Sequence, residues 1–525
     1  MVFLKLNNYN KYKEKKEESI MRTCGVLLPV SSLSSEFGIG CFDEEAYAFI
    51  DALKESGQKY WQVLPFGHTS YGDSPYQSFS TFAGNPYFVS LKEFVKEGYI
   101  TEEDCREANM EGHPEYVDYE RVYNGRYEVL KKAFENSNIA KDADYKKFVK
   151  ENEAWLIDYA LFMAVKAAYD GKSFIEWDDD IKLRKPAAVE KCMKEYKDTI
   201  DLYCFIQYEF FKQWEALRAY ANENGIEIVG DIPIYVAYDS ADVWTNPDLF
   251  VLDKELKPIK VAGCPPDAFS EDGQLWGNPL YKWDYHKKTG YKWWKDRMAA
   301  CNKLYDMVRI DHFRGFDEYY AIPFGDPTAK NGKWEQGPGF DLFKALNEAL
   351  GEMNIIAEDL GYITPTVRQL LEDTKFPGMK VLQFAFYENS ESEYLPYNYV
   401  NNGVVYTGTH DNDTVVGWFE SLSKEDKQFT KDYLKIKNDD EVCDAMVAAA
   451  MASVADHCII PLQDYLGLGS EARINIPSTV GANWKWRMKK GALTSEVIEK
   501  MDTMAKMYGR YNPENKPEVE EEETK

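Results

Sequence analysis

Three apolar stretches of the chain end in acids with basic or imidazole neighbours. In Met307-Val308-Arg309-Ile310-Asp311, Arg309 and Asp311 stand two residues apart, which on a strand puts both side chains on one face. Ala357-Glu358-Asp359 and Thr409-His410-Asp411 close two further runs with carboxylates. Taken singly, an Asp at a strand end reads best as a helix cap or a loop anchor. Three such ends, with His312 and His410 beside two of them and an in-register arginine beside one, favour catalysis. Carboxylates gathered at strand C-termini are the arrangement that barrel hydrolases and transferases use.

Such residues need a frame of strands, and the sequence supplies one. Residues 24–30 (CGVLLPV) form a short buried-strand pattern. Asp43 then caps an expected helix whose Ala46, Phe49, Ile50 and Leu53 fall on one face, and Gly57 ends it. Residues 60–66 (YWQVLPF) follow as a second strand, and a strand, helix and strand in that span imply a parallel pair. The rhythm recurs at 226–236, 307–313, 354–360, 380–386, 403–411 and 457–464, with a helix opening at Thr364-Pro365 and another over 445–455. Eight strands alternating with helices predict an α/β fold, a (β/α)8 barrel. A doubly wound open sheet is the alternative; it is disfavoured because no GxGxxG follows the first strand.

A bare barrel needs only about 250 residues, so roughly half of the chain is insertion. The expected division is a leader over 1–21, a catalytic barrel over 22–495 and a C-terminal helix with an acidic tail over 496–525. Within the barrel, the reading places a helical insertion at about 92–225 and a Trp-, Gly- and Pro-rich insertion at about 245–300. Insertions after strand ends sit at the C-terminal face of a barrel, where they wall a groove over the site.

Composition narrows the partners. With 89 Asp+Glu against 62 Lys+Arg, the 525-residue chain has a net charge of −27, unsuited to nucleic acid, which demands clustered Lys and Arg. Aromatic residues make up 15% of the chain, pointing either to a large aromatic core or to a groove whose rings stack on neutral sugars. The nine cysteines are scattered without a CxxC pair and the histidines lack metal spacing, so no metal site or cofactor is implied and a reducing, cytoplasmic setting is expected. The first 20 residues have neither a signal-peptide core nor transit-peptide composition, and Met21 is a second candidate start. No apolar run approaches the roughly 20 residues of a membrane span.

The linking motifs are more specific. YGDSPYQSFSTFAGNPY (71–87), GDIPIYVAYDSADVW (230–244), PPDAFSEDGQLWGNPLY (265–281), RIDHFRGF (309–316), AEDLG (357–361) and GTHDNDT (408–414) together resemble the 4-α-glucanotransferase family, the amylomaltases or disproportionating enzymes of glycoside hydrolase family 77. The resemblance covers about residues 22–490 in the expected order. It implies a (β/α)8 TIM barrel of the α-amylase type with inserted subdomains. It also implies retaining transfer of an α-1,4-glucan segment to the 4-OH of another glucan or of glucose, with α-1,4-glucans and maltooligosaccharides as partners.

By the same resemblance, Asp311 in RIDHFRGF is the nucleophile, Glu358 in AEDLG the general acid/base, and Asp411 in GTHDNDT the third carboxylate. Arg309 keeps Asp311 charged, and carboxylate neighbours favour a protonated Glu358. Asp411, His312 and His410 are expected on the sugar, though His312 also reads as a core histidine. Sugar binding falls to Tyr76, Asp231, Gln274 and Trp276, with Asn475 and Trp484 in RINIPSTVGANWKW completing the set. Tyr76 and Trp276 offer ring faces to glucose or pack as ordinary loop residues, and Asp231 reads equally as a loop anchor. Two positions depart from the family pattern: Cys41 follows Gly-Ile-Gly where Asp is usual, and Ser478 follows Pro477 where Gly is usual. A plain α-glucan hydrolase shares the same carboxylates, and a non-catalytic glucan-binding protein shares the aromatics but has no need of the three acids together.

Overall fold

A computed structural model describes residues 22–266, 270–361, 363–387 and 391–515. The leader, Met21 and the acidic tail from Glu518 to Lys525 lie outside the described residues. Eight parallel strands close into a barrel. They are β1 (Thr23–Leu27), β2 (Tyr60–Gln62), β3 (Glu227–Pro233), β6 (Met307–Asp311), β9 (Ile355–Ala357), β10 (Gly378–Val381), β11 (Gly403–Tyr406) and β12 (His457–Pro461). Around the barrel they run β1-β12-β11-β10-β9-β6-β3-β2, so each strand lies beside its predecessor and successor among the eight. This is the expected (β/α)8 barrel, built from the eight apolar runs.

Local signals act where the sequence puts them. Asp43 caps the helix Glu44–Glu55 by accepting from the Glu45 amide, and Ala46, Phe49, Ile50 and Leu53 are its buried face. Thr364 caps Pro365–Thr374 through the Val367 amide, with proline in the first turn. The strands, however, are shorter than their apolar runs. Residues 380–386 divide into the end of β10 and a buried 3-10 turn, Leu382–Phe386. Residues 457–464 divide into β12 and the start of the helix Leu462–Leu466. A continuous apolar run reports burial and cannot tell a strand from the buried turn that follows it.

A second sheet lies beyond the eight-strand pattern of the sequence. Strands β4 (Lys260–Cys264), β5 (Gln274–Pro279), β7 (Glu318–Pro323) and β8 (Lys333–Gln336) form an antiparallel sheet in the order β5-β4-β7-β8. It joins segments that follow β3 to segments that follow β6, and it carries GQLWGNP to the rim beside the end of β6.

Between β2 and β3 the chain is mainly helical, ending in the long helix Lys197–Glu223. That helix ties to the barrel through Trp214, whose Nε1 donates to the Leu304 carbonyl, and through Arg218, which pairs with Asp306. One contiguous core runs through barrel and insertion. Most of the aromatic surplus lies there: Phe42 meets Phe66, Phe88, Phe210 and Trp214, and Trp61, Trp214, Trp244 and Trp294 are fully buried. Each such side chain contributes about 1.5–3 kcal/mol by leaving water. None of the nine cysteines, all of them among the described residues, forms a disulfide. Among the described residues no helix is long and apolar enough to cross a membrane.

Candidate active site

The site is organised around Arg309, only 3% exposed on β6. Parallel pairing of β3 with β6 sets Asp231 opposite Arg309. Arg309 Nη1 donates to both Asp231 oxygens at 2.8 and 2.7 Å, and its Nη2 donates to Asp311 Oδ1 at 2.9 Å. Tyr76 donates its hydroxyl to Asp231 Oδ2 at 2.9 Å. Burial pushes Asp231 up to about 7, against the pull of Arg309. Asp231 is buried inside β3 with both oxygens engaged, and one of them anchors the loop that carries Tyr76. Asp311 differs, since its side chain keeps 30% exposure at the strand end.

Glu358 arrives from the neighbouring strand. The register Val308↔Ile355, Arg309↔Ile356, Ile310↔Ala357 brings the next residues, Asp311 and Glu358, to adjacent places on the rim. Glu358 Oε2 accepts the His312 amide at 2.7 Å and Oε1 accepts the Leu360 amide at 2.9 Å. His312 adopts φ 56, the left-handed turn that brings its N–H back to this carboxyl. Burial first, then the charge of Asp311, pushes Glu358 up to about 7, while Arg309 and the two amides pull the other way. Burial pushes His312 down to about 3, so its ring is neutral. Trp276 meets that ring edge to face at 4.8 Å, and its Nε1 donates to Gln274 Oε1 at 3.0 Å.

Asp411 approaches from beyond β11. Its Oδ1 accepts from Asn475 Nδ2 at 2.7 Å and lies 3.3 Å from His410 Nε2, and its side chain is 43% exposed. His410 is buried, which lowers its pKa. The rings of Tyr76 and His410 stack at 5.2 Å and 15°, with Trp484 tilted against both. One face of Tyr76 is thus occupied by His410 and is not the open sugar platform the sequence suggested.

The twelve candidate catalytic and sugar-binding residues lie together in one cluster at this end of the barrel, whereas Asp43, Asp359, Cys41 and Ser478 lie outside it. Three that the sequence reading passed over support it. Asp464, just past β12, accepts the Thr407 hydroxyl at 2.5 Å and the Val415 amide at 2.8 Å, bracketing the loop that holds Asp411. Arg473 donates to the Asp411 carbonyl at 2.9 Å, and buried Gln383 donates to the Asp413 carbonyl at 2.8 Å. Each lies inside an apolar run or a motif of the sequence, but only folding reveals its partner.

A closed barrel with carboxyls from adjacent strands at its rim, one bound to arginine and one raised by burial, is the layout used by (β/α)8-barrel enzymes that act on carbohydrates. A family described as 4-alpha-glucanotransferase matches residues 28–494. A 4-alpha-glucanotransferase of Clostridium butyricum is 50% identical over 483 residues, covering 92% of this chain and 99% of that one. One from Streptococcus pneumoniae is 47% identical over 494 residues, covering 94% and 98%. Amylomaltase from Streptococcus agalactiae, solved in complex with acarbose, superposes with a TM-score of 0.91 at 42% identity, covering 93% of this chain and all of that one. The chain belongs to the 4-α-glucanotransferase family.

Proposed function

We propose that the protein transfers a segment of an α-1,4-glucan to the 4-OH of an acceptor glucan or glucose, retaining configuration through a covalent glycosyl-enzyme. The observation that carries this reading is the pairing of arginine-bound Asp311 with Glu358 on adjacent strands. Asp311 attacks the anomeric carbon while the bond from that carbon to O4 breaks, and Glu358 passes its proton to the departing O4. The acceptor's 4-OH then returns a proton to Glu358 and attacks the same carbon, releasing Asp311. Asp411, fixed by Asn475, holds sugar hydroxyls more tightly as the ring flattens toward an oxocarbenium ion. The neutral His312 ring, with Trp276 and Gln274 alongside, takes part in sugar binding. Acarbose in the S. agalactiae relative supports a glucan-type ligand. A cytoplasmic location belongs to the same reading, supported by nine cysteines that form no disulfide among the described residues.

Incubation with maltotriose tests it. Transfer yields glucose together with longer maltooligosaccharides. Products that are only shorter mean hydrolysis, and unchanged maltotriose means a binding protein; either result overturns the proposal.

A further inference from the structure

Residues 66–85 leave the barrel after β2, reach the site and return, with Tyr76 in the turn at the tip. The excursion is closed like a hairpin by bridges Gly67↔Gly84 and Thr69↔Ser78 and by the Asn85 amide donating to the Phe66 carbonyl at 2.8 Å. Its tip meets the machinery at three points, the Tyr76 hydroxyl on Asp231 and the Tyr76 ring on His410 and on Trp484.

The neck of this hairpin is gripped from both sides by the helices between β2 and β3. On one side, Gln207 of the helix Lys197–Glu223 is fully buried and bonds both ways to Gly84. The Gly84 amide donates to Oε1 at 2.7 Å, and Nε2 donates to the Gly84 carbonyl at 2.8 Å. A Cβ on Gly84 would stand 2.3 Å from the Phe210 ring, so the neck lies directly on that helix. On the other side, His68 is buried between two hydroxyls. Its Nδ1 is 2.7 Å from Tyr159 of the helix Glu153–Ala168, and its Nε2 is 2.8 Å from Tyr127 of the helix Tyr119–Ser137. Burial, with Lys166 nearby, pushes His68 down to about 3, so one ring nitrogen donates and the other accepts.

We infer that the helical insertion is a positioning clamp: Gln207 and the Tyr127–His68–Tyr159 bridge hold the 66–85 hairpin so that Tyr76 keeps Asp231, and through it Arg309 and Asp311, in register. The inference rests on the proposed role of Asp311. Gln207 and His68 act through Tyr76, which makes them positioning residues without contact to the sugar. A shift near 1 Å at the tip is enough to slow chemistry by as much as 10²-fold.

The experiment is a set of double-mutant cycles read as kcat and KM for maltotriose, with melting temperatures alongside. Gln207→Met, Tyr127→Phe and Tyr159→Phe are each made alone and with Tyr76→Phe; the two Tyr→Phe changes remove a single hydroxyl and serve if Gln207→Met fails to fold. The expected result is a kcat loss of about 10-fold for Gln207→Met and about 3-fold for each Tyr→Phe, with KM nearly unchanged. In the Tyr76→Phe background each loss shrinks to under about 2-fold, because the contact it served is gone. Equal losses in both backgrounds, a fall in melting temperature with kcat intact, or full turnover by Tyr76→Phe itself overturns the clamp. Asp311→Asn, assayed in parallel, separates the two claims: retained turnover there sinks the site reading, whereas missing coupling sinks the clamp alone.

Discussion

Two buried arginines sit at opposite ends of the barrel and are satisfied in opposite ways. Arg510 lies fully buried where β1 and β12 begin. It donates to the carbonyls of Thr23, Met451, Ser453, Ala455 and Asp456 at 2.8–3.2 Å, all neutral acceptors. Arg309, at the other end, is satisfied by the carboxylates of Asp231 and Asp311, and the second of these opens to solvent. Backbone carbonyls are far weaker bases and nucleophiles than carboxylates, so Arg510 ties chain ends together. Carboxylates can take part in proton or glycosyl transfer, so the same guanidinium becomes part of a reaction. The difference teaches that burial of an arginine says little about its purpose, and that the chemistry of its acceptors says much.

The sharpest way to break this contrast is to remove the charge that Arg309 holds. Asp311→Asn keeps the shape but loses the nucleophile, and turnover of maltotriose is expected to fall on the order of 10⁴-fold with folding intact. A folded variant with near wild-type kcat would mean the Arg309 end is as purely architectural as the Arg510 end. Arg510→Met tests the converse. Stranding several buried carbonyls is expected to cost about 4 kcal/mol in urea unfolding, while turnover per folded molecule stays at the wild-type level. A loss of intrinsic turnover would place chemistry where the contrast denies it.

The smallest effect concerns the price of function at the rim. The Glu358 carboxyl is raised in the folded state from its ordinary value near 4.5 to about 7. Its stabilising hold on the proton is complete below about pH 4.5 and is lost as pH rises through 7. Glu358→Gln stays neutral throughout but sets its NH2 against one of the two amides, so its stability relative to the wild type is expected to be about 1–2 kcal/mol better at pH 8 than at pH 4. The same variant is expected to lose transfer from maltotriose while still forming the intermediate from a glycosyl fluoride, whose leaving group needs little acid help. Melting curves at both pH values check the first part. An equal difference from the wild type at both would show that the stored cost does not come from burying a charge.

Much of this protein was legible in order along the chain. The eight apolar runs, the cap at Asp43, the Thr364-Pro365 helix start and the carboxylates at three strand ends all depend on residues close in sequence, and local sterics and hydrogen bonding read them out directly. The departure at Ser478 was visible as well: it sits at φ 65, a left-handed conformation that glycine adopts without strain. Cys41 is buried beside Arg126, whose charge opposes the upward push that burial gives its thiol.

Other features required partners that sequence distance conceals. The antiparallel pairing of β4 with β7 joins segments on either side of a barrel strand, and no local pattern specifies it. Asp231 meets Arg309 only because β3 and β6 align in one register across 78 positions of chain. The amide cradle of Glu358 exists only because His312 turns left-handed at the end of the neighbouring strand, and the Tyr76 ring faces His410 only because a hairpin and a distant loop converge. Sequence by itself therefore determined which groups stand at the strand ends and in what order. Closure of the barrel decided which of them share a proton, a charge or a ring face, because electrostatic and hydrogen-bond interactions act over a few ångströms of space and take no account of separation along the chain.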